Sequence, residues 1–273
     1  MSLTRLENML TSRTIRFVSM SIASCLLLSC RPAVDRTLEE IIDHVYPVEP
    51  TATLSVTNRD GSIRVYAAGD EMRDVHVEAI KKAYSADRLK AISVQVSAQP
   101  NSISIETICP PDSDVGFSDR SGTVDYVIVV PQTIRISKLE LTNGEVLVEG
   151  MRSEEVRAQL GNGRLFAHNC FGNLDLHLKT GNLAIVYEWW EDLEFSIRAT
   201  IQNGNALAYI PTDAAFHLIA HTATGKIAND FAEKEQRRAE PINKIDMLVG
   251  GGGKTLFQFE TQDGNVKITE HNP

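Results

Sequence analysis

The chain has 273 residues, 42% of them hydrophobic and 23% charged, with a formal net charge of −9. That length supports an extensive core in one large domain or two small ones, and the acidic balance argues against nucleic acid as a partner, because phosphate backbones are gripped by basic surfaces. Aromatic residues are sparse at 6%, so any place where they gather is informative.

At the N-terminus Arg5, Arg13 and Arg16 precede the apolar run FVSMSIASCLLL, residues 17–28, which is followed by Ser29 and Cys30. A run this short does not span a bilayer, and a basic segment before a short apolar one has the pattern of an export signal. LLSC resembles the lipobox of bacterial lipoproteins: Leu27 and Ser29 match it, while Leu28 stands where a smaller residue is usual. The resemblance implies lipid attachment at Cys30 and a membrane-anchored envelope protein, with Arg31 rather than Asp after the Cys favouring the outer membrane. IASC, residues 22–25, offers Cys25 as a second position behind a shorter apolar segment. Loss of residues 1–29 removes three Arg and one Glu, so the exported part is more acidic still. Beyond this leader only Cys109 and Cys170 remain; an oxidising compartment permits a bridge between them, and two separate buried thiols are the alternative.

Residues 30–50 read as a tether with a short helix over TLEEIIDHV (37–45), and residues 51–273 as one β domain. Its first part, 51–131, alternates in strands such as LSVTNRDGSIRVYAAG, VHVEAI, ISVQVS, SISIETI and VDYVIVV. Period-two alternation marks strands with one buried face. A helical interruption falls near IKKAYSADRLK (80–90), and the whole part is expected to make the first coils and an N-terminal cap.

From residue 132 onward one pattern repeats. RDGSIRV (59–65) announces it, and TNGEVLV (142–148), GNGRLFA (161–167), KTGNLAI (179–185), QNGNALA (202–208), ATGKIAN (223–229) and QDGNVKI (262–268) repeat it. Successive corner glycines from Gly144 to Gly264 lie 19, 18, 23, 21 and 39 residues apart, the last gap holding the insertion NDFAEKEQRRAEPINK. Self-similarity near 20 residues is the mark of stacked units that bury their apolar face only against neighbours. Asn, Asp or Thr followed by Gly suits a corner with positive φ, and apolar residues two and four places later continue as a strand. Two arrangements fit: a parallel β-solenoid, in which equivalent residues stack in columns, and an antiparallel meander, since Asn-Gly is also a hairpin signal. The column Asn143, Asn162, Thr180, Asn203, Thr224, Asp263 favours the solenoid.

VDYVIVVP leading into LELTNGEVLVEG, the recurring strands after each Gly, and the closing GGGGKTLFQFETQDGNVKIT resemble the bacterial putative-adhesin family of unknown function, autotransporter-adhesin-like Gly-turn domains, over residues 54–270. The resemblance implies a β-solenoid and an adhesin-like role, and brings no catalytic residues.

Other motifs suggest chemistry only weakly. GGGGKT (250–255) lacks the Gly a phosphate loop needs at Leu248 and is followed by strand-like alternation. His217 and His221 on one strand sit about 13 Å apart, too far to share a zinc ion, and His168 with Cys170 would need further ligands. The residues after the corner glycines, Ser62, Glu145, Arg164, Asn182, Asn205, Lys226 and Asn265, form no carboxylate cluster. No cofactor, metal or catalytic activity is therefore expected, with a polysaccharide-acting β-helix enzyme and an accessory protein of envelope stress or regulation as the alternatives to a binding scaffold. Two features mark a surface for a protein or polysaccharide partner. VYEWWEDLEF (186–195) sets Trp189 and Trp190 among carboxylates, either exposed for binding or packed in a widened corner. The column three places after each Gly, Arg64, Leu147, Phe166, Ala184, Leu207, Ala228 and Lys267, points outward yet is apolar in its middle five members. Such a stripe is expected to be covered by residues 230–248 folding back, by another copy of the chain, or by a partner.

Overall fold

The structure is a computed structural model, and it describes residues 37–69, 71–110, 122–232 and 242–272. The export signal, Cys25, Cys30 and the lipid attachment lie outside the described residues. Strand accounts for 70% and helix for 3%, so the all-β expectation stands.

In chain order the elements are β1 (Leu38–Pro47), β2 (Thr53–Ala68), β3 (Asp74–Ala83), α1 (Ala86–Ala91), β4 (Ser93–Gln99), β5 (Ser102–Ile108), β6 (Thr123–Pro131), β7 (Arg135–Glu149), β8 (Val156–His168), β9 (Leu174–Val186), β10 (Ser196–Pro211), β11 (Phe216–Thr224), β12 (Ile227–Asn229), β13 (Lys244–Val249), β14 (Thr255–Asp263) and β15 (Val266–His271). They form one large mixed sheet that does not close. Its ends pair antiparallel, as β1–β3–β6, β4–β5 and β11–β13. Its middle pairs parallel, as β2–β7–β8–β9–β10.

The long parallel strands bend at the repeated corner. In β8, Val156, Ala158 and Leu160 are buried with period two, Gly163 turns, and burial resumes at Leu165 and Ala167. The phase slips by one residue between Leu160 and Leu165, so both arms of the bent strand bury the same side. The glycines stack directly: Gly144 pairs with Gly163, Gly163 with Gly181, and Gly181 with Gly204. At Gly163, φ is +136° and a Cβ would stand 1.9 Å from the Gly144 carbonyl oxygen. No L side chain fits there, for backbone and steric reasons together. Beside the glycines, side chains link coil to coil: Asn143 Nδ2 donates to Asp60 Oδ1 at 2.8 Å and Asn162 Nδ2 to Asn143 Oδ1 at 2.9 Å. Asn205 Nδ2 likewise reaches Asn182 Oδ1 at 3.3 Å, and the Asn265 backbone N–H reaches Asn205 Oδ1 at 3.1 Å.

Chain order and stacking order part company at the C-terminal end. The last unit, β14 and β15, enters between β10 and the β11–β12 unit: β10 pairs parallel with both β14 and β15, and these pair in turn with β11 and β12. The corner glycines therefore stack as Gly204, Gly264, Gly225. Side-chain volume accounts for the order. Phe257 of β14 meets Tyr187, Trp190, Phe195 and Phe216 at ring distances of 5.1–6.5 Å, which fills the wide coil made by the longer repeat at 181–204 with large rings.

One expectation from the sequence is corrected. Residues 38–47, read as part of a tether with a helix, are the edge strand β1. Of the insertion after β12, residues 233–241 lie outside the described residues, and with them the question whether it covers the stripe; Ile242 bridges Ile227, and β13 extends the far edge of the sheet on β11. The helix near residue 86 is present, capped by Ser85, whose Oγ accepts the Arg88 backbone N–H at 3.3 Å.

Candidate binding surface

The arms after the corners, from β2 and β7 through β10 to β15, present three outward columns. The middle one is set by the register: Arg64 beside Leu147, Leu147 beside Phe166, Phe166 beside Ala184, Ala184 beside Leu207, and Leu207 beside Lys267. The inserted C-terminal coil thus corrects the sequence reading of five apolar members. Lys267 separates Leu207 from Ala228, and the apolar stripe has four members, spanning about 14 Å at strand spacing. Arg64 and Lys267 close its two ends.

Leu147, Phe166 and Ala184 line a groove of about 270 Å³, with Glu145, Glu149, Arg164 and Asn182 at its rims. The small Ala184 side chain leaves a dent beside the Phe166 ring. On one rim Glu145 is held from both sides, by Arg64 Nη2 at 3.4 Å and Arg164 Nη2 at 2.6 Å. On the other, His168 lies between Glu149 (Nδ1 to Oε1, 3.5 Å) and Glu188 (Nε2 to Oε1, 3.4 Å). Sequence reasoning missed this triad, although the alignment of corners already puts Glu149 and His168 at the same place in successive coils.

The tryptophans divide. Trp190 turns inward against Tyr187, Phe195, Phe216 and Phe257, so it is part of the aromatic packing of the widened corner. Trp189 is 46% exposed, rests on Phe171, and donates through Nε1 to Glu191 Oε1 at 2.9 Å. Arg152 holds the same carboxylate with two hydrogen bonds, at 2.8 and 2.5 Å, while lying over the Phe171 ring. The hydrogen bonds from Arg152 lower the Glu191 pKa below the usual carboxylate value, against partial desolvation. Such charge-assisted bonds favour the ionised carboxyl group.

The arms before the corners carry a contrasting, polar face. A groove of about 510 Å³ runs over Arg157, Asp175, Arg198 and Gln258, which are neighbours in successive coils. Opposite charges alternate along it, and His177 Nε2 lies 3.1 Å from Asp175 Oδ1.

The remaining candidates are dispersed. Cys109 and Cys170 do not form the disulfide the sequence allows. Cys170 is buried at the bend after β8, with Sγ directed to the carbonyls of Val148 and His168, and burial pushes its thiol up to about 12. Cys109 follows β5, near enough to Tyr126 to help raise that phenol's pKa to about 12, after the larger effect of burial. His217 pairs with Asp246 on β13 at 2.7 Å. Among the described residues no three of His, Cys, Asp and Glu gather as a metal site, and no helix is long and apolar enough to cross a membrane. Lys254 and Thr255 lead into β14, where Thr255 Oγ1 donates to the Leu193 carbonyl at 2.8 Å.

No protein-family profile matches the chain, and no curated protein matches it. Among solved structures, a "putative cell adhesion protein" from Clostridium sporogenes is similar with a TM-score of 0.48 at 15% identity, covering 85% of this chain and 100% of that one. A "putative adhesin" from Bacteroides fragilis gives 0.33 at 12% identity over 84% and 97% of the two chains. Another from Parabacteroides merdae gives 0.23 at 10% over 85% and 97%. All three TM-scores lie below 0.5, so these likenesses establish no family for the chain.

Proposed function

We propose that the protein is a non-catalytic lipoprotein of the bacterial envelope, anchored through Cys30, whose parallel coils turn as a β-solenoid and hold an outer surface rigid for adhesin-like binding or scaffolding. The observation that carries this reading is the open apolar groove at Leu147, Phe166 and Ala184, set on an in-register stack. An apolar stripe on an otherwise polar outer face costs solubility unless something covers it. Parallel register from β2 to β10, with glycine on glycine, supports the solenoid. The separate placement of the His–carboxylate pairs, on β3, β8, β9 and β11, supports a role in binding rather than catalysis.

Two measurements test it. Metabolic labelling with a palmitate analogue is expected to label the chain and to fail in Cys30→Ala; label retained in that variant refutes anchorage at Cys30. Affinity purification of the anchored protein from its own envelope is expected to retain material that Phe166→Lys loses. Recovery of the same material with the variant rules out this face as the binding surface.

A further inference from the structure

The groove has a shape and a rim that fit itself. We propose that its occupant is the same stripe of a second copy, packed face to face about a two-fold axis between the Phe166 and Ala184 rows. This rests on reading that face as the binding surface, and adds the identity of the partner.

Along the stripe the order is Leu147, Phe166, Ala184, Leu207, one residue per coil. A two-fold axis between the middle rows reverses this order in the second copy. Phe166 then faces Ala184, and Leu147 faces Leu207, twice each. The large ring meets the small residue, so each Phe166 seats in the dent that Ala184 leaves in the other copy. A sequence with two large residues in the middle rows would clash under the same operation, and one with two small residues would leave a void.

The axis of that operation runs along the strands, so each flanking column faces its own counterpart in reversed order. The columns are Glu145, Arg164, Asn182 and Asn205 on one side, and Glu149, His168, Val186 and Tyr209 on the other. Glu145 comes opposite Asn205, Arg164 opposite Asn182, and Glu149 opposite Tyr209, each a donor–acceptor match, while His168 comes opposite Val186 at the groove margin. Like charges meet only at the two ends, where Lys267 faces Arg64, and Arg64 already has Glu145 as a partner. Six rows by a four-residue width bury roughly 400 Å² per copy, about half of a standard interface. The pairing is therefore reversible. Salt strengthens it, by screening the end charges and the net negative charge of the two chains.

Sedimentation of the intact chain from about 5 to about 500 µM, the range in which an interface of this size operates, is the test. A monomer–dimer equilibrium that tightens with added salt is expected, and Phe166→Lys is expected to abolish it. Because the substituted side chain points outward, melting should stay within a few degrees of the native protein; if Phe166→Lys fails to fold, Ala184→Trp, which fills the dent, serves as the second variant. Glu149→Cys combined with Tyr209→Cys should give a covalent dimer on mild oxidation. Within one chain those positions lie about 14 Å apart, beyond disulfide reach, so the bond reports the proposed face. A monomer across the whole range, or a dimer that survives both stripe substitutions, overturns the proposal. A monomer that still loses envelope material on Phe166→Lys overturns self-pairing alone and leaves the binding surface standing.

Discussion

The middle coils and the C-terminal coils are built from the same unit and obey different rules of neighbourhood. From β7 to β10 each coil rests on the one before it in the chain. After β10 the neighbour is β14–β15, contributed by residues some 60 positions later. Corner chemistry is shared by both regions: a glycine at positive φ, an Asn, Asp or Thr before it, and apolar residues two and four places after, with Asn229 the exception. It fixes register and is silent about order. Volume distinguishes the two: β14 brings Phe257 against Trp190 with Phe259 stacked on it, whereas β11 brings one ring, Phe216, to that layer and sets the smaller Leu218 and Ala220 beside Phe257 and Phe259.

The largest expected effect tests that difference directly. Deleting residues 255–273 removes the coil between β10 and β11, exposes both edges and uncovers the aromatic layer. Loss of cooperative unfolding by circular dichroism and calorimetry is expected; a truncated chain that still melts in one sharp transition would mean that β11–β12 can close on β10 unaided. Next comes Gly163→Ala in the middle stack, which places a Cβ within 1.9 Å of the Gly144 carbonyl oxygen and should cost roughly 4 kcal/mol or more in denaturant titration. Gly251, which has φ +83° but nothing within 4 Å of a Cβ, is the control: Gly251→Ala should cost only about 1 kcal/mol, the conformational part alone. Similar costs for the two would remove steric contact from the account of the glycine column.

The smallest effect concerns pH. Glu191 has its folded-state pKa lowered by Arg152, so the stability it contributes is present above the ordinary carboxylate pKa and fades as pH falls through the lowered one. The Glu191 side chain keeps 30% of its surface exposed, and solvent screening keeps the contribution small. Chemical denaturation of the native chain and of Glu191→Gln should therefore converge as pH drops below about 4 and differ slightly at neutral pH. A difference that grows in acid would reverse the sign of the argument.

How much could be read beforehand follows the same division. The corners, the buried positions around them and the outward stripe were legible, because each is a local property of a short string. The strand β1 was not. In LEEIIDHV, Leu38, Ile41, Ile42 and Val45 recur at helical spacing, and the helix reading followed; pairing with β3 overrides it. Glu40 meets Lys81 at 2.9 Å and Asp43 meets His76 at 2.5 Å across that ladder, while Ile41 and Val45 stay 62% and 57% exposed. Propensity is a weak prior beside a cross-strand ladder. Lys267 within the stripe was equally hidden, because the stack that puts it beside Leu207 is not the order of the chain. The clamp of Arg152 on Glu191 escaped for a related reason, since it joins bends two coils apart and no spacing rule connects them.

The late insertion of β14–β15 also has a history in time. A chain is synthesised, and threaded through any export pore, from its N-terminus, so β10 and β11 emerge well before the piece that belongs between them. Until residues 255–271 arrive, β10 holds an open row of backbone donors and acceptors, a strand edge of the kind that recruits foreign strands. Pairing across some 60 intervening residues is slow to form, and it is the step that seals this edge. The final stretch thus works as a keystone: a chain cut short upstream of it is left with a sticky, unfinished wall, which is a ready signal for a protease and a reason for the cell to hold the partial fold until its last residues are through.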